Sequence, residues 1–220
     1  MNYSSTKAYW NTVFKNINFK PLKEISTNIK PIDNAIEWLS IGSDCILDFG
    51  CGSGKLLLMA SKKASGKLYG IDISKEAVKF SERLFSHYNI NNYKFEVGSI
   101  EKLKQIKTNS FDGIILSNVI DNLAPKDGKL LLEEITRLLR PKGKIFLKLN
   151  DYYDNRLVKE QKLKLIKTDF YLDSEGLYLW NLPTDKWKEL LEPKFIINDY
   201  NRFYIEFAKQ YNRLFLLEKK

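Results

Sequence analysis

Leu47-Asp48-Phe49-Gly50-Cys51-Gly52-Ser53-Gly54-Lys55, with Leu68-Tyr69-Gly70-Ile71-Asp72 about twenty residues further on, decides the fold. An apolar run, Cys45-Ile46-Leu47, ends in Asp48. Glycine then stands at every second position, and a helix-like segment follows. This is a strand feeding a tight turn into a helix, with a second strand ending on a carboxylate where a nucleotide ribose would lie. The glycines let the backbone bend sharply and let a ligand approach where a Cβ would clash. A carboxylate at position 72 can accept both ribose hydroxyl hydrogens.

Spacing separates the glycine-rich loops that fit such a unit. The dinucleotide fingerprint G-x-G-x-x-G/A needs a small residue at position 55, and Lys55 stands there. The phosphate-binding G-x-x-x-x-G-K-S/T pattern is mimicked by Gly54-Lys55, but Phe49 and Leu56 occupy the positions where it needs Gly and Ser or Thr. What remains is acidic-x-G-x-G-x-G, Asp48 to Gly54. This resembles the first motif of the class I S-adenosylmethionine-dependent methyltransferases.

The resemblance extends over roughly positions 40 to 150. Gly70-Ile71-Asp72-Ile73-Ser74 resembles the second motif. Val97-Gly98-Ser99-Ile100-Glu101 sits where the family has a G-D-A-like segment, with Ser99 in place of the acid. Phe111 to Asn118 resembles the fourth motif, and Leu138 to Leu147 the turn into the fifth strand. The resemblance implies S-adenosylmethionine as cofactor, S-adenosylhomocysteine as product, and a cofactor site built from these motifs. In it, Gly50, Cys51, Gly52 and Gly54 form the loop, and Asp48 orients that loop or the cofactor amine. Asp72 binds the ribose, the other reading of Asp72 being a helix N-cap. Ile73 stacks on adenine, Ser99 and Ile100 contact it, and Ser117 and Asn118 flank the methionine portion.

At 220 residues and 44% hydrophobic, the chain can bury one full core, so one domain is expected. No secretory leader is read at the start, and no apolar run approaches about 18 residues. Cys45 and Cys51 lack partner histidines, so no metal set is expected, and a reduced, cytoplasmic setting is. Cys51 reads either as a reactive thiol or as a small residue lining the methionine pocket. The net charge of +9 invites nucleic acid, but Lys recurs along the whole chain without a compact run. The densest cluster, Lys159 to Lys167, is interleaved with Leu163, Leu165 and Ile166, as in a solvated amphipathic element.

The expected fold is α/β: a Rossmann-like, seven-stranded, mainly parallel sheet with helices on both faces, the last strand antiparallel, and a β-hairpin inserted after strand 5. Residues 1–43 form an N-terminal helical cap, 44–149 the cofactor-binding core, 150–182 the inserted hairpin, and 183–220 a C-terminal helix and β-hairpin. Core strands are expected near 45–49, 67–72, 93–97, 111–117 and 143–149. Helices are expected from Lys55, from Ser74 to Tyr88 with Ser74 as N-cap, and over 126–140. Asp173-Ser174-Glu175-Gly176 is the turn of the inserted hairpin, whose arms are 163–172 and 177–182. Thr184 caps the next helix. The aromatic N-terminal segment, with Tyr9, Trp10 and Phe14, reads as a lid over the site or as plain packing.

For the acceptor side the candidates are Tyr9, Trp10, Asp121 and Tyr152, with Asp151 and Tyr153 beside the last. Asp121 is a candidate base or amine-binding group, and equally a helix cap. His87, the sole histidine, is expected at the surface. The expected activity is methyl transfer to a small-molecule acceptor by in-line displacement, in a monomer or homodimer without a membrane span. The alternatives are an RNA-modifying methyltransferase and a cofactor-binding protein without catalysis.

Overall fold

The computed structural model describes residues 1–220. In chain order the elements are α1 (Ser4–Asn16), α2 (Lys30–Ser40), β1 (Ile46–Phe49), α3 (Lys55–Ala60), β2 (Leu68–Asp72), α4 (Lys75–His87), β3 (Tyr93–Val97), α5 (Ile100–Leu103) and β4 (Phe111–Ser117). Then come α6 (Pro125–Leu138), β5 (Leu139–Asn150), α7 (Asn155–Glu160), β6 (Lys164–Lys167), β7 (Phe170–Leu172), β8 (Tyr178–Trp180), α8 (Thr184–Leu191), β9 (Phe195–Ile205) and β10 (Gln210–Lys219).

Seven strands form one sheet in the order β3-β2-β1-β4-β5-β10-β9. Pairing is parallel from β3 to β5, and β10 runs antiparallel to both β5 and β9. The order reverses between β1 and β4, and that switch point opens a crevice at the carboxyl ends of the strands. One apolar core lies between the sheet and α5, α6 and α8; another lies between its opposite face and α2, α3 and α4. Helix α2 shows how sequence builds this. Pro31 starts it, and Ile32, Ala35, Ile36 and Leu39 fall on one buried face. Burying each large aliphatic side chain among them stabilises the fold by about 1.5–3 kcal/mol.

Three expectations need correction. The fifth strand starts at Leu139 rather than 143, because Leu139 pairs with Phe111 before Pro141-Lys142-Gly143 bulges out, with Lys142 at φ 60°. The inserted hairpin is instead a three-stranded sheet, β6-β7-β8, preceded by α7. Asp169 takes φ 56° and breaks the first expected arm into two antiparallel strands. Thr184 does not cap α8; Pro183 holds that position, and the Thr184 hydroxyl contacts the Tyr200 hydroxyl at 3.2 Å.

The cap sheet is fastened to the core by side chains. Trp180 lies against Gly128 of α6, where a Cβ would come within 2.7 Å of the indole, and meets Trp187 edge-on at 4.9 Å. Asn181 accepts from the Tyr153 amide at 2.9 Å and donates to the Tyr153 carbonyl at 2.8 Å. No helix is long and apolar enough to cross a membrane.

Candidate active site

The loop after β1 is held by its neighbours before any ligand is considered. The Gly50 and Cys51 amides both donate to the Ile71 carbonyl, at 2.7 and 3.1 Å. The Gly52 amide donates to Asp72 Oδ2 at 2.9 Å, and Ser81 on α4 donates to the Gly52 carbonyl at 2.9 Å. Gly50 has φ 76°, and a Cβ there would stand 2.3 Å from Val119 Cγ2. Only glycine meets both demands.

Asp72 accepts from the Ser74 amide as well, through Oδ1 at 2.8 Å. Ser74 itself caps α4, accepting from the Ala77 amide at 3.1 Å, as expected. Burial pushes the Asp72 carboxyl up, against the pull of its two backbone donors. Asp48 is 2% exposed, and its Oδ1 has no hydrogen-bond partner. Burial first, and then the charge of Asp72, pushes its carboxyl well above the usual range. A buried, unpartnered carboxylate oxygen is costly unless a ligand satisfies it. Cys51 is also buried, and burial together with Asp48 and Asp72 pushes its thiol up, so it is held as thiol rather than thiolate.

These groups face one cavity of about 1070 Å³. Asp48, Gly50, Cys51, Gly52, Asp72, Ile73, Ser99, Ile100, Ser117 and Asn118 all line it, as do Tyr9 and Trp10. The Ser99 hydroxyl makes no cap to α5 although the residue occupies the N-cap position. Gly54 stands behind the wall, at φ 74°, where a Cβ would press on Ser81.

Besides Gly54, three candidates are not brought to the cavity: Asp121, Tyr152 and Asp151. Asp121 sits in a 3-10 turn, Ile120–Asn122, that rotates its carboxylate inward; it is 1% exposed and accepts from the Asn150 amide at 2.6 Å. Tyr152 is 42% exposed and lies outside, while its neighbour Tyr153 lines the wall. Asp151 is engaged by Arg202, at 2.9 and 2.6 Å. His87 ends α4 against Phe19 and Tyr88, away from this cavity.

Sequence reasoning missed Tyr3, Asn122 and Asn150, which also line the cavity. The signal for Asn150 was a polar side chain at the end of an apolar strand, Ile145 to Leu149. Tyr3 lies under α1, which roofs the cavity with Thr6, Tyr9, Trp10 and Phe14 yet buries no residue fully. The Tyr3 hydroxyl donates to Asp127 Oδ2 at 2.7 Å and accepts from the Ala124 amide at 3.0 Å. Its ring meets Tyr178 of the cap sheet edge-on at 5.7 Å. At the other end of the helix, Ser74 donates to Asn11 at 2.9 Å, and Phe14 packs on Phe80. No group of three or more His, Cys, Asp or Glu side chains is placed to hold a metal ion.

The family model of the methyltransferase domain matches residues 43–195. The chain is 22% identical over 161 residues to a tRNA N(3)-methylcytidine methyltransferase of Schizosaccharomyces pombe, covering 71% of this chain and 52% of that one. It is 34% identical over 116 residues to the ribosomal protein L11 methyltransferase of Paraburkholderia phytofirmans, covering 51% of this chain and 35% of that one. The chain thus spans about half the length of the first relative and about a third of the second. A solved 1,6-didemethyltoxoflavin-N1-methyltransferase of Burkholderia thailandensis, with 1,6-didemethyltoxoflavin and S-adenosylhomocysteine bound, shares the fold at TM-score 0.70 and 15% identity, over 99% of this chain and 85% of that one. The match runs through the glycine loop, the switch-point crevice and the cap sheet, and by it this chain belongs to the methyltransferase-domain family, with the class I, S-adenosylmethionine-dependent fold.

Proposed function

We propose that this chain transfers a methyl group from S-adenosylmethionine to a small-molecule acceptor that carries no negative charge. The observation that carries this is the charge of the cavity wall. Asp48, Asp72, Glu101, Asp127, Asp173 and Glu175 line it, with Lys55 as its one cationic side chain. The chain as a whole carries +9. A polyanion is held by neutralising its phosphates with Lys and Arg, and this wall does not offer them. The roof of α1 and the cap sheet also favours an acceptor small enough to be enclosed.

The residues present fit the cofactor. The unpartnered Asp48 Oδ1 suits an ammonium, and the absent Cβ at Gly50 lets Val119 close against the loop. In this reading Asp72 takes the ribose hydroxyls, Ile73 and Ile100 pack on adenine, and the free Ser99 hydroxyl meets its edge. The loop amides and the start of α3 favour the carboxylate. Ser117 and Asn118 mark the boundary with the acceptor half. The cofactor supplies a methyl group already activated by sulfonium charge. The protein's share is alignment and exclusion of water, and orientation of this kind is worth about 7–11 kcal/mol. Asp121, turned away from the cavity, has no direct path to the acceptor.

Nucleic acid is the competing reading, favoured by the overall charge and by the exposed lysines of β6. Radiolabelled S-adenosylmethionine decides between them. Incubated with a cell extract, the protein should place label in the low-molecular-mass filtrate. Label confined to the RNA fraction would overturn the small-molecule reading. Cofactor binding with label in neither fraction would favour the non-catalytic alternative.

A further inference from the structure

At the boundary between the two halves of the cavity, two carboxamides are locked in series between a lysine and an aspartate. Lys148 on β5 donates to Asn118 Oδ1 and, at 2.9 Å, to Asn212 Oδ1. Asn118 Nδ2 donates to Asn150 Oδ1 at 2.8 Å. Asn150 Nδ2 donates to Asp121 Oδ2 at 3.0 Å and to Asn122 Oδ1 at 3.1 Å. An ammonium only donates and a carboxylate only accepts, so the two ends fix which way each amide faces. Asn118 must turn its oxygen to Lys148, and Asn150 must turn its nitrogen to Asp121. Chains of hydrogen bonds anchored on charges polarise one another.

The donor count leaves a remainder on these two residues. Both N–H groups of Asn150 are used, but its oxygen accepts one bond and has a lone pair to spare. Asn118 uses one of its two N–H groups. Both residues line the cavity, whereas Lys148 and Asp121 do not. We propose that Asn118 and Asn150 read the acceptor, offering an N–H donor beside a carbonyl acceptor to a substrate with a lactam or cis-amide edge, and that Lys148 and Asp121 are positioning residues that hold this order. The inference rests on the methyltransferase reading above and names the class of acceptor it would take. A neutral lactam edge suits a wall whose one cationic side chain is Lys55, and a site built around such a pair discriminates strongly against analogues that leave one partner unpaired.

The groups facing Lys148 are Asn118 from the end of β4, Asn212 from β10 and the charge of Asp121 from the 3-10 turn. Burial pulls its ammonium down to about 8, with Asp121 opposing. Loss of its proton weakens the donor that fixes Asn118.

The test uses the full chain loaded with S-adenosylhomocysteine and two probes, 2-pyridone and N-methyl-2-pyridone, with binding followed by NMR titration. The first carries both partners of the pair, and the second lacks the donor. Wild type should prefer 2-pyridone by about tenfold, the worth of one well-formed hydrogen bond. Lys148→Met, which keeps the stem and loses the donor that fixes Asn118, should lose most of the affinity for both probes, since each offers its carbonyl to the Asn118 N–H, with S-adenosylhomocysteine affinity unchanged. Lys148→Gln, which keeps a donor, should restore the affinity for both probes. Equal affinity for the two probes in the loaded wild type, or unchanged affinity for both in Lys148→Met, would overturn the inference while leaving the methyltransferase reading intact. Failure of S-adenosylhomocysteine to bind would overturn both.

Discussion

The Gly52 amide and the Asp72 carboxylate are bonded across 2.9 Å, so the tip of β2 and the glycine loop form one rigid unit. Asp72→Ala leaves the Gly52 and Ser74 amides without their acceptor. Each buried amide left unsatisfied costs about 1–3 kcal/mol. Thermal denaturation should show that loss, and calorimetry should show S-adenosylhomocysteine affinity down by about a hundredfold, the loss of two hydrogen bonds. Undiminished binding would remove Asp72 from the cofactor site.

Gly50→Ala meets Val119 at 2.3 Å and must also hold φ 76°. Overpacking of this kind costs about 1–3 kcal/mol, and strain at positive φ adds to it. Val119→Ala in the same chain should recover part of the stability in urea denaturation. Full recovery would mean that backbone strain contributes nothing.

Asp48 gives the pH dependence. Its folded carboxyl titrates above the unfolded value of about 3.9, so the folded state binds the proton more tightly. Stability is therefore fully present below the unfolded value and is lost as pH rises through the folded one. Asp48→Asn escapes that loss and should melt higher than wild type at neutral pH. A cofactor ammonium favours the ionised carboxylate, so wild-type affinity should rise with pH over the same window. The slope should vanish in Asp48→Asn. Calorimetry in buffers of different ionisation enthalpy measures the released proton directly.

Tyr3→Phe removes the hydroxyl that both Asp127 and the Ala124 amide use. Deuterium uptake across residues 4–16 should increase, since the Tyr3 hydroxyl fastens this end of α1 beside the Met1 ammonium on Asp127 and the Tyr178 hydroxyl on the Asn2 carbonyl. S-adenosylhomocysteine affinity should fall by less than in Asp72→Ala. Unchanged uptake would make the Tyr178 edge contact, rather than the hydroxyl, the fastening.

The part of the cavity around the glycine loop was legible in sequence because its residues lie within a few positions of strand ends, and a strand end fixes both place and direction. Asp48, Asp72, Ser99 and Ser117 all reached the cavity for this reason. Asp121 did not, because a 3-10 turn after β4 reverses the side chain, and no motif announces that reversal. Asn150 and Lys148 take their meaning from Asn118 and Asn212, which become neighbours only through the pairing of β5 with β4 and β10. The cap was half legible: the Asp173 turn was visible, but the break at Asp169 depends on one residue taking a left-handed conformation.

The protonated thiol of Cys51 has a consequence for the fate of the protein under the proposed activity. A thiolate is the strongest nucleophile the loop could offer, and in the proposed reading the loop holds an alkylating agent. Burial and the two carboxylates beside it keep the proton on Sγ. The loop can then carry a reactive methyl donor without becoming its target, and each molecule of protein stays a catalyst rather than being spent in one self-alkylation.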